Sequence, residues 1–211
     1  MRVFLAAFLL LIMAGCTTAP PPAPPPPPDP KTLMTALEQR IAILVAEERE
    51  RIDPTAEPLM IDPELADIAR QRASDMAAKH YFAHAAPNGD TSASILMAED
   101  TRFQGLLGEN LAAQHYRIQI GVDVNQFARN FVDMWLNSPK HKDNLAYRQY
   151  NRTGVGAAVD GDTVYVTQLF ATDLGLGPHE DVAPPATPPD DKGAVLPKPK
   201  PEPGPGLRGA N

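Results

Sequence analysis

Residue types able to hold metals or move protons gather in three short stretches: His80-Tyr81-Phe82-Ala83-His84, Gly108-Glu109-Asn110 and Ser138-Pro139-Lys140-His141. His80 and His84 stand four apart, the spacing that sets two imidazoles on one helix face in zinc peptidases. No Glu lies between them to act as base, and Pro87-Asn88-Gly89 just beyond places His84 in a loop. His80 reads instead as a helix-end histidine, where a cation meets unpaired carbonyls. Ser138 and His141 have the composition of a nucleophile and its base. The Gly-x-Ser-x-Gly elbow is missing, however, and Pro139 behind Ser138 fits a helix start, so Ser138 is expected to be an N-cap.

The elements that must position these groups follow from periodicity. Leu33, Met34, Leu37, Ile41, Leu44 and Val45 recur at helical spacing and predict an amphipathic helix running to about Arg51. Asp62-Pro63 supplies an N-cap and a proline at the first helical position, and Leu65, Ile68, Ala69, Ala73 and Met76 then form one stripe of a helix ending near Lys79. Val124, Phe127, Phe131, Met134 and Trp135 mark a third helix from about Asp123 to Asn137, its aromatic stripe core rather than a cofactor box, with another short helix starting at Ser138-Pro139. The period then changes. Gly154 to Val159 and Thr163 to Phe170 are rich in strand formers joined by Asp160-Gly161, a two-residue hairpin signal. A lone hairpin is marginal, and Leu106 to Ala113 is the candidate third strand, so the fold class expected is α+β, helices packed on a small antiparallel sheet.

Prolines partition sharply among the 211 residues: nine lie between Pro20 and Pro30, ten between Pro178 and Pro205, and five in between. One domain, residues 31–175, is therefore expected between a stiff polyproline II linker, 16–30, and a disordered Pro-rich tail, 176–211. Ahead of the linker, Arg2 precedes an apolar stretch from Val3 to Met13, too short for a span and read as an export signal over residues 1–15. Met13-Ala14-Gly15-Cys16 resembles the bacterial lipobox, which implies lipidation of Cys16. With Cys16 the only cysteine, no internal disulfide can form. Thr17 stands where an Asp would mark inner-membrane retention, so the resemblance implies the cell envelope, and the outer membrane facing the periplasm. A net charge of −7 provides no cationic field for phosphate backbones, which argues against nucleic acid as a partner.

The order of the pieces carries more than any one of them. Phe82-Ala83-His84 with Pro87-Asn88-Gly89, then Gly108-Glu109-Asn110, Trp135-Leu136-Asn137-Ser138-Pro139-Lys140-His141, Gly154-Val155-Gly156 and Tyr165-Val166-Thr167-Gln168-Leu169-Phe170 resemble the bacterial CAP domain (SCP/PR-1-like) over about residues 35 to 172. That resemblance implies a three-layer α-β-α sandwich with a central antiparallel sheet, and a shallow cavity holding two histidines and two acids. Motif by motif, His84, Glu109 and His141 take three of those positions. The fourth, three residues after a tryptophan in eukaryotic members, falls on Ser138, and the nearest acid is Asp133. A plain solvent-facing place in the helix is the other reading of Asp133.

Two histidines facing each other across such a cavity would bind a divalent cation, zinc for example, as neutral imidazoles, with Glu109 orienting one or holding a water. Zinc sites take three or four protein ligands, so two imply weak binding. Glu109 and Asn110 also have a purely structural reading, tying loops to the sheet through hydrogen bonds. The functional expectation is an envelope-anchored ligand-binding module for a lipid, glycan or protein. Its rival is a metal-assisted hydrolase or peptidase, with His84 and His141 holding the ion and Glu109 as general base. A third reading is an envelope protein whose proline-rich arms do the contacting.

Overall fold

The computed structural model describes residues 25–172 and the two-residue strand Leu207–Arg208. The stretch expected to be an export signal, Cys16 and most of the expected linker and tail therefore lie outside the described residues, and within residues 176–211 Leu207–Arg208 is a strand. Asp29 accepts from Lys31 N at 3.0 Å and starts a 3-10 turn, Pro30–Leu33, that leads into helix α1, Met34–Ile52. The predicted stripe of α1 is buried from Met34 to Val45, with Leu33 partly covered. Helix α2 spans Pro63–Lys79, capped by the Asp62 carboxylate on Glu64 N and Leu65 N. Helix α3, Ser92–Glu99, was not expected. Its Thr91/Ser94 capping box is polar, and its eight residues carry too short an apolar pattern to register as a period. Helices α4, Val124–Leu136, and α5, Pro139–Ala146, fall where the caps placed them. In α4, Phe127, Phe131 and Trp135 are core as expected, whereas Met134 is exposed on the other side.

Five strands, β1 (Met60–Ile61), β2 (Leu107–His115), β3 (Arg152–Asp160), β4 (Thr163–Ala171) and β5 (Leu207–Arg208), form one sheet in the order β1-β3-β4-β2-β5. The three long strands are antiparallel, as anticipated, with β4 in the middle. The two short edge strands are parallel to their neighbours, so the sheet as a whole is mixed. The hairpin pairs Asp160 with Thr163, which makes Gly161-Asp162 the turn, one residue later than the Asp160-Gly161 expected. Gly161, at φ 55°, takes the left-handed position at the first turn residue that glycine occupies at no steric cost.

Side chains alternate across the sheet and build a core on each face. Val164, Val166 and Phe170 of β4, with Val155 and Ala157 of β3, pack under α1, α4 and α5. Leu169 and Ala171 of β4, with Leu107 of β2, pack under Leu65, Ile68 and Ala69 of α2 and Leu96 of α3. The result is a three-layer α-β-α sandwich. Gly154 and Gly156 face α2, where a Cβ would overlap the Ala66 and Arg70 backbone nitrogens, so α2 lies almost directly on β3. That close approach is what this glycine pair provides.

Candidate functional site

Strand β2 carries the site because adjacent residues on a strand point to opposite faces. Glu109 faces the α2 and α3 layer, opposite Leu169, while Asn110 faces the α5 layer, opposite Gln168. The Glu109 carboxylate is buried. One oxygen accepts from Ser92 Oγ at 2.6 Å, and the other lies 2.6 Å from His84 Nδ1. With Nδ1 donating to the carboxylate, the His84 imidazole presents Nε2 to its surroundings, the arrangement that sets tautomer and ring orientation in carboxylate–histidine pairs.

The loop that carries His84 is fastened at three points. His80 ends α2 in a left-handed conformation, φ 54°, as the helix-end residue expected, and its Nδ1 lies 3.2 Å from an Asp160 carboxylate oxygen. Ala85 and Thr91 form an isolated antiparallel bridge that brings the loop back to α3 and sets Ser92 beside Glu109. Arg72, 1 % exposed, donates from Nη2 to the carbonyls of Ala83 and His84 at 3.1 and 3.0 Å, and from Nη1 to Tyr81 Oη at 2.9 Å. Tyr81 Oη in turn donates to Asp75 at 2.6 Å. Arg72 Nε stands 4.0 Å from Glu109, so a buried cation faces the buried anion.

From the other face, Asn110 Nδ2 donates to the His141 carbonyl at 3.1 Å. Asn144 Nδ2, one turn on, donates to Asn110 Oδ1 at 2.9 Å and to the Glu109 carbonyl at 3.1 Å. These bonds clamp α5 to β2 and hold His141, half-buried, at the strand's edge. Burial pushes the His141 imidazole below its ordinary pKa, and the charge that His84 can carry pushes it the same way.

The candidates for a second acid lie elsewhere. Asp133 is exposed on α4, and with Ser138, Gln114, Asn130, Met134 and Asn137 it lines an open hollow of about 570 Å³. Two further hollows, about 510 and 530 Å³, run beside α1, and none of the three is lined by His84, Glu109 or His141. Ser138 occupies the N-cap position of α5, as expected, but its hydroxyl makes no cap bond, and Pro139 sets the helix start. Among the described residues, no three His, Cys, Asp or Glu side chains are grouped to hold a metal ion. Of the two histidines named as candidate ligands, His84 is already tied through Nδ1 to Glu109.

Arg72, Ser92 and Asn144 were missed from the sequence. Arg72 had a legible signal, since it lies four residues from both Ile68 and Met76 and so is a charged side chain on an apolar stripe. Ser92 had none, because the helix it starts was itself unrecognised.

A model of the cysteine-rich secretory protein (CAP) family matches residues 51–170. The uncharacterized protein YkwD of Bacillus subtilis is 26 % identical over 137 residues, covering 65 % of this chain and 48 % of that protein. Among solved structures, an extracellular protein containing an SCP domain from Bacillus anthracis is 32 % identical with a TM-score of 0.55, over 72 % of this chain and 45 % of the other. An outer surface protein from Borrelia burgdorferi shares the fold at 23 % identity and a TM-score of 0.53, over 65 % of this chain and 92 % of the other. The chain thus spans about half the length of the Bacillus relatives. By sequence and by fold, this chain belongs to the CAP family.

Proposed function

We propose that the chain is an envelope protein, lipid-anchored through Cys16, whose domain binds a ligand at the edge of β2 where His84 and His141 present their imidazoles. The observation that carries this reading is the 2.6 Å contact of His84 Nδ1 with the buried Glu109 carboxylate. A buried carboxylate that orients one half-buried ring serves to present Nε2. The groups gathered there are polar, which favours a glycan or a protein segment over a lipid tail. An envelope location is supported by the extracellular relative from Bacillus anthracis. Thr17 after the cysteine favours the outer membrane.

As a metal-assisted hydrolase the same site is poorly equipped. Glu109 is buried and each of its oxygens already takes part in a hydrogen bond, with Ser92 and with His84, so it is poorly placed to take a proton from water. Zinc would be held weakly by His84 and His141.

Native mass spectrometry of the protein purified from envelope membranes tests the binding reading. A bound glycan or peptide, lost in His84→Ala and His141→Ala, is the expected result, and ligand retention in both variants would overturn it. Hydrolysis of a casein and peptidoglycan-peptide panel, stimulated by zinc and abolished by His141→Ala, would establish the enzyme instead.

A further inference from the structure

The end of the domain at which the chain arrives from Cys16 has an unusual surface. Pro27 of the linker packs on Gly121, where a Cβ would stand 2.7 Å from the proline's own Cβ. Gly121 adopts φ 78° and closes a tight turn in which Ile120 N and Gly121 N both donate to the Arg117 carbonyl at 2.9 Å. That turn holds out two isoleucines, Ile118 at 61 % and Ile120 at 68 % exposure, the latter the most exposed large apolar side chain among the described residues. The turn is held in place, since Tyr116 N donates to Asp162 O and Tyr116 Oη to Gly161 O, both at 2.8 Å.

Two isoleucines raised on a rigid turn, at the point where a tether enters, have a geometric consequence. Eleven residues separate Cys16 from Pro27, and even a fully extended polyproline II rod covers only about 34 Å over that distance. The 19 residues of α1 run about 28 Å, so the tether's greatest reach is comparable to the length of that helix. Because Pro27 rests on Gly121, a tether from an anchored Cys16 would enter the domain beside the 117–121 turn.

We infer that the Arg117–Gly121 turn is a membrane-docking element, which inserts Ile118 and Ile120 into the interface of the bilayer that anchors Cys16. This rests on the lipid-anchor reading above. Asp29 and Asp162 act electrostatically on Tyr116, which leads into the turn, and Arg117 is the one cation among residues 117–121, so attraction to anionic lipid does not drive the contact. Apolar insertion does, and it is insensitive to salt. Docking would orient the domain, holding the edge of β2 in a fixed attitude to the membrane.

The test uses the full-length protein purified from membranes and reconstituted into phosphatidylcholine vesicles. When Cys16 is lipidated its thiol is consumed, so a cysteine introduced by Ile118→Cys, Ile120→Cys or, as control, Glu50→Cys is the only one free to take an environment-sensitive fluorophore. Glu50 is exposed near the far end of α1. The expected result is a blue-shifted emission at 118 and 120, quenched by nitroxide-bearing lipid and unchanged by salt, with water-like emission at 50. Adding Ile120→Asp to the 118 probe should reduce quenching at least about threefold. Intact mass separates the two ideas. A diacylglycerol adduct on Cys16 with water-like emission at 118 overturns the docking turn while the anchor stands, and an unmodified Cys16 overturns both.

Discussion

Arg72 of α2 donates to the carbonyl of His84 at 3.0 Å although the two are twelve residues apart, so a fully buried guanidinium is part of the scaffold for a half-exposed imidazole. Its planar fork serves the Ala83 and His84 carbonyls from one nitrogen and Tyr81 from another, while Nε faces Glu109. No other side chain combines that reach and that number of donors.

Arg72→Met should therefore destabilise the domain by roughly 3–5 kcal/mol, the range seen when one partner of a buried charge pair is removed. Arg72→Lys should recover little of it, because a single ammonium cannot span both carbonyls and the tyrosine. Urea unfolding followed by Trp135 fluorescence measures both. A loss below about 1 kcal/mol in Arg72→Met would mean that the loop is held by its other contacts.

Acidification should weaken the fold through His141. Its folded pKa is lowered by burial and by His84, so below the ordinary imidazole value of about 6.5 the unfolded chain takes up the proton first. The stability that the neutral ring contributes is complete above that value and declines as pH falls from it toward the lowered folded pKa. The melting temperature of the native protein should fall across that window more steeply than that of His141→Gln. Parallel profiles for the two would remove His141 as the cause.

Gly156→Ala probes the contact between α2 and β3. The added methyl would overlap the backbone of Ala69 and Arg70 rather than a movable side chain, and helix or strand must shift. A cost of about 3 kcal/mol or more is expected, at the upper end of overpacking penalties. Calorimetric melting of this variant beside Gly161→Ala, which has open space but a positive φ, separates steric overlap from backbone strain.

His80 closes α2 in the left-handed region, where a non-glycine residue is strained by about 1 kcal/mol or more. His80→Gly should relieve that strain and stabilise the domain by about 1 kcal/mol, since the exposed pair with Asp160 contributes little. A destabilised His80→Gly would show instead that the Asp160 contact outweighs the backbone term.

Much of the fold was legible in the residue pattern. The α2 stripe from Leu65 to Met76 and its Asp62-Pro63 start are local, and tertiary structure had only to accept them. The two hairpin strands declared themselves by composition, and the third was expected because a lone hairpin is marginal. Helix α3 stayed hidden because Thr91 and Ser92 look like loop residues until a capping box is seen. The turn slipped by one residue because Asp160-Gly161 and Gly161-Asp162 both contain the glycine that a tight hairpin needs.

The site divides along the same line. Sequence alone determined which residues were candidates, His84, Glu109 and His141, because motif order is written along the chain. Only the tertiary structure decided their partners. Glu109 and Asn110 are neighbours in sequence, yet the two-residue period of a strand sends one to Ser92 and His84 and the other to Asn144 and the His141 carbonyl. Asp133 and Ser138, in or next to those motifs along the chain, line an open hollow to which none of the three candidates contributes. Local propensity acts over a few residues, whereas these contacts close loops of 17 to 35 residues, and which of them form is settled by how helices pack on the two faces of one sheet.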